Sequence, residues 1–249
     1  MRISVLSVGG SIIAPDKVNS VFLSDFLAKI RAYLDTNPDD KLIFVCGGGA
    51  PARVYQQAYR EVVSNASEQD PEAQDWIGIK ATHINAELVK AIFGDYCRDS
   101  VVTNPTSEDV AFSGRILVAG GWKPGFSTDT DAVYLAKRFG AKLVINLSNI
   151  AKVFTDDPRK NPDAKPIDSI SWADFRAMVG DEWVPGKNAP FDPIASRLAQ
   201  EAGIRVICAD GRNTETSTAM ANSVFWIMSF SMSWGREISF SPLIRGRAG

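Results

Sequence analysis

Short runs of β-branched and aliphatic residues alternate along this chain with longer segments in which apolar residues recur at helical spacing. Six runs have the composition of strands: RISVLSV, KLIFVC, SVVT, RILVAG, KLVINL and IRVICA. Between them, helical spacing relates Val21, Phe22, Phe26, Ile30, Tyr33 and Leu34, and separately Ile77, Ile84, Leu88, Ala91 and Ile92. This alternation predicts an α/β fold with a mostly parallel sheet and helices on both faces. In such a sheet, ligands bind beyond the carboxyl ends of the strands.

Glycine-rich turns follow three of these strand candidates. GGSIIAP follows the first, GGGAPAR the second and GGWKPGFSTDTDA the fourth. Glycine lets backbone N–H groups approach a ligand closely, and a helix N-terminus adds about half a positive charge. Together these features form anion sites. A tight turn explains any single glycine pair equally well, but three such turns, two of them joined to Arg53 or Lys123, favour phosphate binding.

Two common nucleotide-binding motifs are missing from the sequence. The first turn has no GxGxxG pattern, and no acidic residue ends the second strand, which argues against a dinucleotide-binding fold. The P-loop pattern GxxxxGK[ST] is also absent. The expected phosphate sites are therefore of another kind.

Composition narrows the possible partners and the compartment. The 249 residues suffice for one large α/β domain or two small lobes, and 27 Lys and Arg nearly balance 29 Asp and Glu. No overall positive field exists to attract nucleic acid or an anionic membrane. The N-terminal segment is interrupted by serines and glycines, unlike a signal peptide, and no apolar run approaches the roughly 18 residues of a membrane span. We therefore expect a cytoplasmic protein.

The three cysteines are widely spaced and form no CxxC pair. This spacing argues against a disulfide framework or a zinc site. Cys46 and Cys208 lie within apolar runs, so we predict that both are small core residues.

The four glycine-rich and acidic segments together resemble a known family. GGS after the first strand, GGG with AR after the second, GG…PG.STDT after the fourth and F.TDDPRKNPDAKPI after the fifth occur in the order found in the amino acid kinase family. Within it, the chain is most similar to the archaeal-type uridylate kinase (UMP kinase) branch, which DWIGIKATHINAELV also resembles. The resemblance extends from Met1 to about Asp210.

The resemblance implies transfer of the ATP γ-phosphoryl group to UMP, with Mg²⁺ carried on the nucleotide phosphates and no protein-held metal. It also implies a three-layer αβα fold in one amino acid kinase domain and a homo-oligomer, usually a hexamer. Residues 1–140 would mainly form the UMP lobe and residues 141–213 mainly the ATP lobe. Residues 214–249 form an atypical tail, rich in serine and aromatic residues.

The residues expected on the ATP side follow from the resemblance. They are Gly9, Gly10, Ser11, Gly49, Arg53, Ser148, Phe154 and Asp157. Arg53 comes one turn into a helix whose early Pro51 suits the first turn, and its guanidinium could reach phosphates there. A solvated helix arginine is the alternative. Phe154 could stack on the adenine base or pack on its edge, whereas a plain turn explains the region of Asp157 equally well.

The residues expected on the UMP side lie in three segments. They are Gly48, Asp75, Trp122, Lys123, Pro124, Gly125, Phe126, Ser127 and Thr128. Asp75 would accept hydrogen bonds from the ribose, or would cap the helix that begins after it. Ser127 and Thr128 would donate to phosphate, while STDTDA could simply begin a helix with Thr128 or Asp129 as its cap. Trp122 could stack on a base or fill a subunit contact.

Three of these residues are expected to be catalytic: Ser11, Arg53 and Asp129. Asp129 is a poor phosphate ligand because like charges repel, so its expected work is to orient a cation or hold the loop. His83 lies in a helical segment without an Asp or Cys partner nearby in sequence, which is typical of a packed or surface histidine.

The sequence departs from the family at two places that bear on the ATP phosphates. Ser7 and Val8 stand where most members outside the archaeal-type branch have a lysine, and Ile150, Ala151 and Lys152 replace Val-Asp-Gly. We therefore expect Lys152 to bind ATP by supplying the missing positive charge, with Lys187 as a second candidate.

Two other functions fit parts of the pattern. An isopentenyl phosphate kinase would have a histidine close behind the second glycine run, where this chain reads APARVYQ. A nucleotide-binding storage or regulatory protein on the same fold would suit the missing lysine and the replaced Asp-Gly.

Overall fold

The computed structural model describes residues 1–149, 153–155, 161–180, 190–210 and 237–241. Its strands are β1 (Ile3–Val8), β2 (Lys41–Cys46), β3 (Ile116–Ala119), β4 (Leu143–Ser148), β5 (Val153–Phe154), β6 (Pro166–Ile167), β7 (Ser169–Ser171), β8 (Arg205–Asp210) and β9 (Glu237–Ser241). Its α-helices are α1 (Gly10–Ile13), α2 (Ser20–Thr36), α3 (Gly49–Val62), α4 (Pro71–Phe93), α5 (Thr128–Phe139), α6 (Trp172–Val179) and α7 (Pro193–Glu201). Single turns of 3-10 helix cover Ala66–Glu68 and Gly94–Tyr96.

Seven of these strands form one sheet in the order β3-β2-β1-β4-β8-β9-β7. All neighbouring pairs are parallel except β7 and β9, and β5 pairs with β6 in a separate antiparallel ribbon. The mostly parallel sheet predicted from the sequence is therefore confirmed. Because β1 to β4 run the same way, the turns that follow them emerge at one edge.

One strand candidate was wrong. SVVT contributes only an isolated parallel bridge between Val102 and Ala119. The Val102 N–H donates to the Val118 carbonyl at 2.9 Å, and Gly120 N–H donates to the Val102 carbonyl at 3.0 Å. A four-residue run between polar neighbours pairs at a single residue at the margin of the sheet.

Helices cover both faces of the sheet. On one face α2 and α4 pack on side chains such as Leu6, Phe44 and Ile145, and on the other α5, α6 and α7 pack on side chains such as Val5 and Val144. Successive side chains of a strand point to opposite faces of the sheet, so the neighbours Val5 and Leu6 belong to the cores on opposite faces. The result is the expected three-layer αβα fold.

Several smaller predictions concern the same elements. Cys46 and Cys208 are buried, as predicted. Within the atypical tail, the structure describes residues 237–241, which form β9 between β8 and β7. No helix in the described part of the chain is both long and apolar enough to cross a membrane.

Candidate active site

The glycine turn after β1 lies directly against the glycine turn after β2. A Cβ atom on Gly10 would lie 2.7 Å from the carbonyl carbons of both Gly47 and Gly48. A Cβ atom on Gly9 would lie 2.7 Å from the Leu147 carbonyl oxygen, to which the Gly9 N–H donates at 2.8 Å. Glycine is therefore required here by close backbone approach rather than by an unusual dihedral angle. The ends of β1, β2 and β4 are joined in one rim.

A cleft of about 330 Å³ opens beside this rim. Eight of its lining residues were expected to bind UMP, ATP or both: Gly48, Gly49, Arg53, Asp75, Lys123, Gly125, Phe126 and Thr128. The others were not predicted: Ala52, Gln56, Gly78, Ile79, Thr82 and Gly121. The second and third glycine-rich turns thus share one concave site, which is the usual form of a small-molecule site.

Helix α4 forms one wall of the cleft and fastens both turns. Asn85 Nδ2 donates to the Gly47 carbonyl at 2.7 Å and to the Gly48 carbonyl at 3.1 Å. The Gly121 N–H donates to Thr82 Oγ1 at 2.6 Å. Both polar side chains are buried, and buried polar groups of this kind fix backbone geometry because breaking their bonds is costly.

Asp75 does not cap α4, so that alternative is wrong. The helix begins earlier, at Pro71, and its cap is Asp70, whose carboxylate accepts from Glu72 N–H at 2.9 Å. A proline at the first helical position with an aspartate before it favours that start. Asp75 instead lies in the second turn, and its Oδ2 accepts from Gly125 N–H at 3.2 Å.

The loop that lines the cleft carries an aromatic cluster with a lysine on it. Trp122 packs against Phe126 and Tyr134, with ring centroids 5.1 and 5.9 Å away. Lys123 Nζ lies 4.0 Å from the centroid of Trp122 and 4.9 Å from that of Phe126. Cation–π contact of this kind holds an ammonium group in place. The Lys123 charge is therefore held beside the cleft.

The cap of helix α5 comes before both of the residues predicted to cap it. Ser127, rather than Thr128 or Asp129, is the cap, and its Oγ accepts from Thr130 N–H at 3.3 Å. Thr128 and Asp129 occupy the first turn, where the helix dipole favours negative charge. The Ser127 hydroxyl proton is still available to a phosphate.

Asp129 lies over two polar residues that interrupt the strands. Ser7 of β1 and Asn146 of β4 are paired in register, and both reach the Asp129 carboxylate. Ser7 Oγ donates to Oδ1 at 3.0 Å, and Asn146 Nδ2 lies 3.5 Å from Oδ2. The pKa of Asp129 is raised to about 7, mainly by loss of hydration; the Ser7 hydrogen bond opposes this rise, and the nearby Asp192 charge contributes to it.

Asp131 is a second acidic group of α5 with a perturbed titration. It is fully buried, its Oδ2 accepts from Trp122 N–H at 3.1 Å, and its Oδ1 has no hydrogen-bond partner. Burial raises the pKa of Asp131 to about 7, the Trp122 N–H lowers it, and the charges of Asp129 and Asp192 raise it. No cation pairs with Asp129 or Asp131 within the described residues. Two buried acidic groups thus adjoin the rim.

Arg53 lies at the outer end of the cleft. It is exposed, on the second turn of α3, and its Nη2 donates to the Pro15 carbonyl at 2.6 Å. That bond uses only part of the guanidinium, which has five N–H donors. Arg53 can therefore keep its position and still bind an anion in the cleft.

Comparisons with known proteins identify the family of this chain. The family model described as "Amino acid kinase family" matches residues 2–210. The chain belongs to the amino acid kinase family. A curated protein from Methanospirillum hungatei named uridylate kinase is 34% identical over 211 residues, covering 84% of this chain and 86% of that protein. One of the same name from Pyrobaculum neutrophilum is 37% identical over 177 residues, covering 70% and 78%.

Solved structures agree with this family assignment. The crystal structure of uridylate kinase from Archaeoglobus fulgidus superposes with a TM-score of 0.72 at 27% identity, covering 90% of this chain and 95% of that one. Aspartate kinase from Synechocystis gives a TM-score of 0.63 at 14% identity over 98% of this chain and 40% of that one, a likeness of fold.

The residues predicted for ATP in this amino acid kinase are only partly described. Gly9, Gly10 and Ser11 form the turn after β1, and Ser148 lies at the end of β4, with its Cα 3.5 Å from where a Gly9 Cβ would be. Phe154 is half-buried in β5. Lys152, Asp157 and Lys187 lie outside the described residues, and their roles stay predictions.

Several site residues were not predicted from the sequence. They are Ser7, Gln56, Thr82, Asn85, Asp131 and Asn146, together with a contact of His83 described below. The available signal was their polarity within apolar segments: Ser7 and Asn146 interrupt strands, and Thr82 and Asn85 interrupt a helical face. Such interruptions indicate buried hydrogen bonds, but not their partners.

Proposed function

We propose that this amino acid kinase is a UMP kinase, which transfers the ATP γ-phosphoryl group to UMP and yields UDP and ADP for pyrimidine nucleotide synthesis. One observation carries the proposal. The cleft beside the β2 turn is lined by Arg53 and by the loop before α5, and it adjoins the β1 turn at Gly10. Two phosphate-binding turns in contact can hold donor and acceptor phosphates end to end.

The acceptor nucleotide occupies the cleft in this proposal. Arg53, Lys123 and Thr128 surround its phosphate, and Gly48 and Gly125 allow close backbone approach. Asp75 accepts from the ribose through Oδ1, since its Oδ2 already accepts from Gly125 N–H. Trp122, Pro124, Phe126 and Ser127 complete the loop around the nucleotide, with the Trp122 indole available for a base or for a neighbouring subunit.

The donor nucleotide lies against the β1 turn and the end of β4. Gly10, Ser11 and Gly49 donate from the backbone to its phosphates, and Lys152 supplies positive charge. The Gly9 N–H already donates to the Leu147 carbonyl, so Gly9 contributes close approach of the backbone rather than a donor. Ser148, Phe154 and Asp157 are assigned to binding of the adenosine. Mg²⁺ travels with ATP and neutralises phosphate charge; the Asp129 carboxylate, which has no cation partner within the described residues, suits such an ion at its oxygens.

The chemistry assigned to the protein is positioning and charge stabilisation. An oxygen of the UMP phosphate forms a bond to the γ-phosphorus, and the bond from that phosphorus to the β,γ-bridging oxygen breaks, leaving ADP. Ser11 and Arg53 stabilise the charge that spreads over the transferring group. Asp129, which is held by Ser7 and Asn146, would orient the Mg²⁺ that is bound to the ATP phosphates.

A homo-oligomer, as a hexamer in the cytoplasm, completes the proposal. Exposed apolar side chains on α3 support it, because Val54, Tyr55 and Val62 are 63%, 67% and 84% exposed. Large exposed apolar residues grouped on one helix are typical of an interaction surface. Light scattering coupled to size exclusion measures the assembly, and a monomer at micromolar concentration contradicts this part.

The activity is tested with Mg²⁺, ATP and a panel of acceptors. We expect ADP release with UMP at about 1–100 turnovers per second, as is usual for kinases, and little with CMP, dTMP or isopentenyl phosphate. The wild-type chain should prefer UMP to dUMP at least tenfold, and Asp75→Ala should lose that preference. Tight ATP binding without ADP release would indicate a storage or regulatory protein instead.

A further inference from the structure

One peptide group in the loop of residues 121–128, which we call the acceptor loop, is held by a side chain at each end. The carbonyl oxygen of Gly121 and the N–H of Trp122 belong to the same planar unit. His83 Nε2 lies 2.8 Å from that oxygen, and Asp131 Oδ2 lies 3.1 Å from that nitrogen. For the first contact, the imidazole must carry its proton on Nε2 and donate. We call this arrangement the peptide clamp.

The packing around the clamp leaves little freedom. A Cβ atom on Gly120 would lie 2.6 Å from His83 Cδ2 and 3.0 Å from Thr82 Oγ1. A side chain at this position would therefore prevent α4 from lying against the loop. The preceding amide is also fixed, because Gly121 N–H donates to Thr82 Oγ1.

Asp131 contributes a charge-assisted acceptor to the clamp from the opposite side. It is fully buried, and the acidic groups that face it are Asp129 of its own helix and Asp192, the cap of α7. A buried carboxylate beside two others is costly unless it makes a needed hydrogen bond. Among the described residues, the hydrogen bond that Asp131 makes is to the loop backbone, at Trp122 N–H.

The clamped peptide begins the segment that lines the cleft. Lys123, Gly125, Phe126 and Thr128 follow it, and all four line the cleft. The far part of this loop is also fastened to α4, through Asp75 and Gly125 N–H. A rotation of the clamped peptide would therefore displace the residues that surround the acceptor.

We propose that His83 and Asp131 are positioning residues of the acceptor site, which set the conformation of residues 121–128 without touching either nucleotide. This inference rests on the proposed function and extends it. The turn after β1, which we assign to the donor nucleotide, is not part of the clamp. Loss of the clamp should therefore weaken the binding of UMP rather than that of ATP.

Two matched pairs of variants test the clamp. His83→Phe keeps a ring against Gly120 but removes the donor, and His83→Gln restores an N–H donor. Asp131→Leu removes the acceptor, and Asp131→Asn restores a carbonyl acceptor. We expect the Phe and Leu variants to raise the KM and Kd for UMP about three- to tenfold, the range of one hydrogen bond. The KM for ATP should change less than twofold, and Gln and Asn should recover most of the UMP affinity.

A control and the contradicting results complete the design. Glu87→Gln lies one turn further along α4, is exposed, and should change neither KM. Equal rises in the KM for UMP and ATP, an unchanged KM for UMP, or identical behaviour of the Phe and Gln variants would overturn the inference. If the Asp131 variants do not fold, the comparison of His83→Phe with His83→Gln is sufficient to test the inference. A wild-type chain that makes no UDP overturns the proposed function, and the inference with it; UDP formation with unaffected variants overturns the inference only.

Discussion

The Ser7 hydroxyl donates a hydrogen bond to Asp129 Oδ1 at 3.0 Å, joining residues that are 122 positions apart in the chain. This bond ties the first strand to the first turn of α5. Asn146, beside Ser7 in the sheet, approaches the other carboxylate oxygen. A serine near the carboxyl end of a buried strand thus holds the acidic group that we place at the reaction centre.

Ser7→Ala should shift the pH dependence of catalysis. The Ser7 hydrogen bond lowers the pKa of Asp129, which burial raises to about 7. Its loss should raise this pKa further, so the acidic limb of the kcat profile should move up by about one pH unit, as expected for one hydrogen bond to a charged group. Turnover measured from pH 5.5 to 9 tests this. Ser4→Ala, on the opposite face of the same strand, is the control; an unmoved acidic limb in Ser7→Ala contradicts the role.

Stability should fall as pH rises through the neutral range. The pKa values of Asp129 and Asp131 are raised to about 7, whereas an unfolded aspartate titrates near 4. Between these values the native state holds protons that the unfolded state has lost, so the free energy of unfolding decreases with pH until both groups ionise. Asp40 and Asp99 have lowered pKa values, so they increase the free energy of unfolding as pH rises, but only in the acid range.

Differential scanning fluorimetry measures this effect. From pH 5.5 to pH 8 we expect the free energy of unfolding to fall by at least about 1 kcal/mol, which lowers Tm by about 2–4 °C for a chain of this size. Asp131→Asn cannot ionise at this site, so it should show a smaller loss over the same interval. A Tm that is equal or higher at pH 8 would contradict the raised pKa values.

Gly10→Ala should damage both stability and activity. Its Cβ would meet the backbone of Gly47 and Gly48, which cannot move aside as a flexible side chain could. We expect a loss of about 3 kcal/mol, at the upper end for overpacking, with a large loss of turnover. Gly140→Ala is the matched control, because Gly140 has φ 69° and open space around it. It should cost about 1–2 kcal/mol through its dihedral angle alone, with normal kinetics; equal effects in both variants would argue against the tight contact of the turns.

The strands and turns could be predicted from the sequence because their signals are local. Apolar runs correctly predicted β1, β2, β3, β4 and β8, and the glycine-rich turns after the first three predicted the edge where the strand ends meet. The errors occurred where local signals compete. SVVT has strand composition but lies between polar residues and pairs with β3 only at Val102, and Asp70 with Pro71 is a stronger helix start than Asp75.

The peptide clamp and the hydrogen-bond partners of Asp129 could not be predicted in the same way. His83 and Gly121 are 38 residues apart, and Ser7 and Asp129 are 122 apart. A polar residue in an apolar segment indicates that some partner exists, but the partner depends on how helix and sheet pack. His83 was predicted to be packed or on the surface, and its ring is half-buried; its contact with the Gly121 carbonyl was not predicted.

Arg53→Met should reduce catalysis with little effect on stability. The guanidinium is exposed, and its hydrogen bond to the Pro15 carbonyl, at 2.6 Å, uses one of its five N–H donors. Bonds from the others to phosphate are worth about 1.5–3 kcal/mol each, so kcat/KM for UMP should fall at least tenfold while Tm changes by no more than a degree or two. Arg60→Met is the control on the same helix, since Arg60 bonds Gln74 Oε1 and does not line the cleft. A lower Tm with unchanged kinetics in Arg53→Met would make Arg53 a structural residue and would remove the main cation from the acceptor site.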